Sequence, residues 1–206
     1  MLNLIKEEGK TKEEVISKIE KQYNITVDDC FMKEEYIEGK LFKSAKYIIS
    51  VITKDEIKKY LKTVIENISN LMNFRIDSEI IERDSVFHIT LISDNNAILI
   101  GREGKNLNSL QLLLKQAIRK QTNMDIKINL DVANYKLKKL KNIENEIKHI
   151  AEEVLNSKIQ VSLDPMNSYE RRLVHNLINE YENLETESIG EGKDRHIIIR
   201  YIGEAW

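Results

Sequence analysis

Cysteine, proline and glycine are all scarce in this 206-residue chain, which holds one, one and seven of them. The lone thiol, Cys30, rules out an intramolecular disulfide and suits a reducing compartment. So little proline and glycine argues against low-complexity linkers. No apolar run approaches the roughly 18 to 20 residues that a membrane span needs. The first residues, Met1 to Glu8, contain no signal-peptide core. The expectation is a cytoplasmic protein without an integral membrane segment. The four histidines, His88, His149, His175 and His196, show no metal-ligand spacing. Neither a phosphate-binding P-loop nor a Gly-x-Ser-x-Gly nucleophile elbow is present, and no histidine lies near Cys30 in sequence. The chain therefore reads as a non-enzyme, with no catalytic residue, no metal and no cofactor. Aromatic residues are few, and none form an obvious stacking platform; Tyr135 and Phe87 lie nearest the central unit.

Charge is abundant but nearly balanced, with a net value of −2. That average hides an asymmetry. Between Ala97 and Lys141 there are ten Lys or Arg and three acids, which leaves +7. Attraction to phosphate depends on the local field, so this stretch outweighs the total.

The stretch opens with Ile100-Gly-Arg-Glu-Gly-Lys105. A Gly-x-x-Gly turn between two helices lets the backbone approach a ligand, because neither glycine carries a Cβ. The following helix offers free N–H groups and a positive dipole end to a phosphate. A KH module grips the backbone of single-stranded RNA in this way. The four residues alone are weak evidence, but their setting is specific. Residues 54–72 show helical spacing (Ile57, Leu61, Val64, Ile65, Ile68, Leu71). Residues 74–82 alternate, Arg83-Asp-Ser makes a turn, and residues 86–92 alternate again with Val86, Ile89 and Leu91 inward. A short helix over 95–99 precedes Gly101. A longer one over 106–121 carries Leu107, Leu110, Leu113, Leu114, Ala117 and Ile118 on one face. A strand over 126–132 closes the unit. The order is α-β-β-α-α-β, with the loop between the fourth and fifth elements.

Three further segments complete an α+β chain. Residues 1–52 form a small unit: Thr11 caps a helix to Lys21, Ile25-Thr-Val begins a strand, and 46–52 is a strong β run. Residues 133–157 form one long connecting helix, basic in its first half and acidic in its second, which needs a partner surface. Residues 158–206 hold a short strand over 159–163, a break at Asp164-Pro165, a helix capped by Asn167 or Ser168, and two strands joined by Gly190-Glu-Gly192. The central unit spans 53–132. On the last helix Arg171 and His175 are four residues apart and share a face. Arginine offers a planar fork to phosphate, and histidine donates to phosphate or stacks on a base.

These residues resemble a known family. The runs Ile100-Gly-Arg-Glu-Gly-Lys-Asn-Leu-Asn-Ser-Leu-Gln, Leu130-Asp-Val-Ala-Asn-Tyr-Lys, Val161-Ser-Leu-Asp-Pro-Met-Asn-Ser-Tyr-Glu-Arg-Arg-Leu-Val-His and Glu187-Ser-Ile-Gly-Glu-Gly are similar to those of Jag proteins, also called KhpB or EloR. Gly9-Lys-Thr-Lys-Glu-Glu-Val looks like the opening of their N-terminal domain. The resemblance implies a Jag N-terminal domain, a type II KH domain and a C-terminal Arg-x-x-x-His domain that binds single-stranded nucleic acid. It implies RNA binding, post-transcriptional control linked to cell elongation, division and cell shape, and a small KH-domain protein as heterodimer partner, or else a homodimer. Carried over, the KH loop is Gly101, Arg102, Glu103 and Gly104, and the C-terminal motif is Arg171 and His175. The family commonly has a second basic residue where Glu103 stands. Its glycine-rich basic loop appears here only as Glu38 to Lys46. The proline usual after Gly190 is replaced by Lys193-Asp-Arg-His.

The candidate RNA-binding residues are therefore Gly101, Arg102, Glu103, Gly104 and Lys105 at the loop, with Ile98 toward a base. Lys136, Lys138, Lys139, Arg171, Arg172 and His175 would extend the track. The competing reading is a protein-interaction adaptor that uses the KH fold as a dimer surface.

Overall fold

The computed structural model describes residues 1–39 and 44–203. The chain divides into two compact units, 1–134 and 135–206. Part of the lysine-bearing loop expected over 38–46 lies outside the described residues.

The first unit contains two sheets. Strands β1 (Ile5–Gly9), β2 (Cys30–Ile37) and β3 (Lys46–Thr53) form an antiparallel sheet in the order β1-β3-β2. Helix α1 (Lys12–Tyr23) covers one face, where Val15, Ile19, Ile49 and Val51 make a core. Thr11 caps α1 as expected, accepting from the Glu14 N–H. The structure departs from the sequence reading in two places. β1 carries no signal of its own, because its Ile-Lys-Glu-Glu-Gly run is too short and polar to announce a strand. Ile25-Thr-Val does not begin a strand: Val27–Asp29 is a 3-10 turn, and β2 starts at Cys30. Asp28 and Asp29 favour the turn through side-chain competition with the backbone ladder.

No linker follows. Thr53 ends β3 and also caps α2 (Lys54–Met72), accepting from the Glu56 N–H. Strands β4 (Ile76–Arg83), β5 (Val86–Ser93) and β6 (Lys127–Val132) make the second sheet in that order, β4 antiparallel and β6 parallel to β5. Asp84 and Ser85 both have positive φ, 52° and 60°, as a two-residue hairpin turn matching the strand twist demands. Helices α3 (Asn96–Ile100) and α4 (Lys105–Thr122) lie between β5 and β6. The expected order α-β-β-α-α-β is thus present.

Side-chain registers differ in detail. The inward residues of β5 are Phe87, Ile89 and Leu91 rather than Val86, Ile89 and Leu91. A two-residue period cannot place 86 and 89 on one face. On α4, Leu107, Leu114 and Ile118 are buried but Leu113 is 56% exposed. Glycine is scarce, and asparagine takes its place at helix ends: Asn24, Asn73 and Asn123 adopt left-handed conformations after α1, α2 and α4.

The N-terminal sheet is tied to the second one. The Phe31 and Phe87 rings lie 5.7 Å apart, the Leu2 N–H donates to Gln121 Oε1 on α4, and the Asn3 N–H donates to Glu56 on α2.

The second unit contains α5 (Tyr135–Ser157), α6 (Ser168–Ile178), and strands β7 (Val161–Ser162), β8 (Leu184–Ile189) and β9 (His196–Tyr201), antiparallel in the order β7-β9-β8. Its core joins Ile147, Ala151 and Val154 of α5 to Val174, Ile178, Leu184, Ile197 and Ile199. The long helix therefore finds the apolar partner it needs in α6 and this sheet. Its first apolar position, Leu137, is 55% exposed. The strand expected over 159–163 is only two residues long.

Candidate nucleic-acid interface

The loop between α3 and α4 is built by three unusual backbone conformations. Gly101 has φ 68° and ψ −180°, Glu103 has φ 54° and ψ 24°, and Gly104 has φ 80° and ψ 15°. The Gly101 N–H closes α3 on the Ala97 carbonyl at 2.8 Å, and the Gly104 N–H turns back to the Gly101 carbonyl at 3.2 Å. The Asn106 side chain braces this turn by donating to the Ile98 carbonyl at 2.8 Å. A Cβ on Gly101 would sit 2.5 Å from Asn106 Cγ, so space as well as φ requires glycine here. Sequence reasoning did not single out Asn106; the signal is an Asn two residues after the second glycine, a short polar side chain able to reach back.

Arg102 and Glu103 project into solvent, with side chains 86% and 63% exposed. Their charged groups approach no closer than 3.8 Å, a pair too open to neutralise the arginine firmly. Among the described residues no side chain caps the first turn of α4, so that turn's N–H groups are left for water or an anion. Lys105 is exposed at its start, and Ile98 is 49% exposed on α3 while Leu99 is buried. The loop thus offers backbone N–H groups, two cations and one apolar contact beside a carboxylate.

The +7 stretch is not one patch. Arg102 and Lys105 stand at the loop, whereas Arg119 and Lys120 lie at the far end of α4, about 20 Å along its axis. Lys136, Lys138 and Lys139 belong to the second unit.

In that unit Asn167 caps α6 through its side chain, and the Glu170 carboxylate returns to the Asn167 N–H in a complete capping box. Glu170 is 6% exposed, and Lys139 Nζ lies 2.6 Å from its carboxylate. Lys139 is therefore committed to holding α5 against α6. Lys138 is exposed and Lys136 half-buried.

Arg171 donates from Nη1 to the Met166 carbonyl at 2.7 Å and from Nη2 to Ser168 Oγ at 3.1 Å. His175 Nδ1 lies 2.6 Å from Thr186 Oγ1 on β8. The hydrogen bond fixes the ring and leaves Nε2 directed away from it. Arg172 is exposed on the same helix. The structure adds residues that the motif did not mark: Thr186, and beyond it Ser188, whose Oγ accepts from Arg195 Nε at 3.0 Å. Their signal in the sequence is faint, a strand in which acids and hydroxyls alternate.

Residues 54–132 match the family described as KhpA/KhpB, KH domain, and residues 138–201 match the family of domains defined by the Arg-x-x-x-His motif. Over 203 residues the chain is 31% identical to the RNA-binding protein KhpB of Clostridium symbiosum, covering 96% of this chain and 91% of that protein. The chain belongs to the KhpB family. It is also 29% identical over 167 residues to the RNA-binding protein KhpB of Bacillus subtilis (strain 168), covering 80% of this chain and 78% of the relative. A KhpB of Lactiplantibacillus plantarum shares 32% identity over 102 residues, half of this chain and 32% of that protein. In KhpB terms, the Gly-x-x-Gly loop lies in the KH match, and Arg171, His175, Ser188 and Arg195 all lie in the Arg-x-x-x-His match. The nucleophile one would look for outside these sites is not activated. Burial, then the Asp29 carboxylate, pushes the Cys30 thiol above its ordinary range, and its Sγ–H points to the Thr26 carbonyl. Among the described residues no three His, Cys, Asp or Glu side chains are grouped to hold a metal, and no helix is long and apolar enough to cross a membrane.

Proposed function

We propose that this KhpB-family chain is a cytoplasmic regulator that binds single-stranded RNA, gripping the backbone at the KH loop and supplementing it with the Arg171/His175 helix. The observation that carries the reading is the loop itself. Two glycines at positive φ and an uncapped helix start bring backbone N–H groups together with Arg102 and Lys105. The family relation supports it, because the curated relatives are RNA-binding proteins. Contacts of this kind attach to phosphate and give salt-dependent affinity with little sequence preference. Roles in post-transcriptional control, elongation, division and cell shape belong to the same proposal. The test is binding of short labelled single-stranded RNAs across a salt series. The parent is compared with Arg102→Asp and with Arg171→Ala/His175→Ala, all checked for folding by circular dichroism. Loss in Arg102→Asp places the grip at the KH loop, loss only in the second variant moves it to α6, and absence of parental binding at low salt overturns the reading.

One observation favours the adaptor reading. Leu112 and Leu113 stand side by side on α4, 55% and 56% exposed. Paired exposed leucines suit a protein contact, with a second copy or a small KH-domain partner.

A further inference from the structure

We propose that Arg195 is the third cation of the phosphate site in the C-terminal unit, delivered by the β8–β9 connection to the face already occupied by Arg171 and His175. The proposal rests on the RNA-binding reading of that unit. Twenty residues of sequence separate Arg195 from His175, and nothing in their spacing relates them. The fold does so through two chains of hydrogen bonds. The first runs along β8. Thr186 and Ser188 are two residues apart and so share one face of the strand. Thr186 Oγ1 holds His175 Nδ1 at 2.6 Å, and Ser188 Oγ holds Arg195 Nε at 3.0 Å. The two basic groups are therefore anchored on neighbouring positions, about 7 Å apart along the strand. The second chain runs through Met166. Its carbonyl accepts from Arg171 Nη1 at 2.7 Å, and its N–H donates to the Arg195 carbonyl at 3.2 Å. Arg171 and Arg195 thus bracket one residue of the loop that precedes α6.

The distribution of acids points the same way. β8 reads Leu-Glu-Thr-Glu-Ser-Ile, so its carboxylates and hydroxyls fall on opposite faces. Glu185 and Glu187 are drawn to Arg200 of β9 on the far face, with Glu185 at 3.5 Å and Glu187 in direct contact. The face that carries Thr186 and Ser188 is left with neutral hydroxyls beside three cations. Asp194, next to Arg195, is the carboxylate nearest in sequence, and it is exposed. Because Ser188 engages Nε alone, the two terminal nitrogens of Arg195 keep the planar fork that suits a phosphate. The ligand is the phosphodiester backbone of a single strand: one or two phosphates shared among Arg171, His175 and Arg195, with sequence left unread.

The experiment uses the full chain and a short fluorescein-labelled oligouridylate, with anisotropy measured across a salt series. Arg195→Ala, Arg195→Gln, Arg195→Lys, Ser188→Ala, Arg171→Ala and the pair Arg171→Ala/Arg195→Ala are compared with the parent, and thermal melts establish that each is folded. Arg195→Ala and Arg195→Gln are expected to lower affinity roughly tenfold and to flatten the logarithmic salt slope by about 0.7, the value of one single-strand phosphate contact. Arg195→Lys keeps the slope. Ser188→Ala keeps the slope and loses roughly two- to threefold in affinity, because the charge remains but its position does not. The double variant loses less than the product of the single losses, as residues on a shared phosphate do; independent losses overturn the shared site. Arg195 variants with parental affinity and slope overturn the proposal whether or not Arg171→Ala is weakened. A weakened Arg171→Ala alongside them leaves the RNA-binding reading standing. No parental binding at low salt overturns that reading and this one together.

Discussion

Lys139 Nζ lies 2.6 Å from the carboxylate of Glu170, and that carboxylate also accepts from the N–H of Asn167, which caps α6. One buried acid therefore locks the first turns of two helices. Replacing Lys139 by Met removes the cation and leaves the carboxylate 6% exposed with one partner fewer. The expected cost is about 1–2 kcal/mol, reduced from a fully buried pair because the Lys139 side chain is 31% exposed. Chemical denaturation followed by far-ultraviolet circular dichroism checks it. Glu170→Gln/Lys139→Met should recover most of the loss.

The Phe31 and Phe87 rings, 5.7 Å apart, predict that the N-terminal sheet is structural support for the KH layer. Phe87 is fully buried, so Phe87→Ala should cost about 3–5 kcal/mol. Phe31→Ala, from a half-buried position, should cost about 1–3 kcal/mol. The more informative result concerns residues 46–134 expressed without 1–45. Hydrogen exchange in β5 should accelerate as the cover over Phe87 is lost, and unchanged protection would show that the KH layer stands alone.

Gly101→Ala tests the loop geometry. The added Cβ meets Asn106 at 2.5 Å and must adopt φ 68°, which costs about 1–2 kcal/mol locally. RNA affinity should fall by roughly tenfold or more while the thermal midpoint moves only a few degrees. Asn106→Ala frees the Ile98 carbonyl and should produce a milder loss of the same kind.

Glu103 sits in a left-handed conformation, φ 54°, one residue from Arg102. Glu103→Gly relieves that conformation while freeing the unfolded chain, two opposed effects that leave stability within about 1 kcal/mol of the parent. It also removes a charge that opposes phosphate. Affinity for a short single strand should rise several-fold at low salt. Glu103→Lys should steepen the logarithmic salt slope by about 0.7. A fall in affinity for both variants would mean that the carboxylate itself contacts the ligand.

Leu112→Asp/Leu113→Asp addresses the adaptor reading. Both side chains are more than half exposed, so folding should be unaffected. Loss of a dimer in sedimentation with RNA affinity retained would separate the two roles; an unchanged mass would remove these leucines from any interface.

Local rules were enough for much of this protein. Helical spacing from Ile57 to Leu71 and from Leu107 to Ile118, the caps at Thr11 and Asn167, and the turn before Val86 all follow from residue-level preferences that act within a few positions. So does the Gly-x-x-Gly loop, because left-handed backbone selects glycine wherever it occurs. What the residues could not announce depended on neighbours distant in sequence. β1 exists because β3 offers it a ladder, and Phe87 rather than Val86 faces inward because the whole strand shares one register. Lys139 reads as a phosphate ligand until Glu170 is placed beside it. Arg195 joins Arg171 and His175 only when Ser188 and Thr186 fall on one face of β8. Propensity and capping are short-range, and the chain carries them openly. Which charges are spent on one another, and which are left for a ligand, is decided by packing that only the folded molecule possesses.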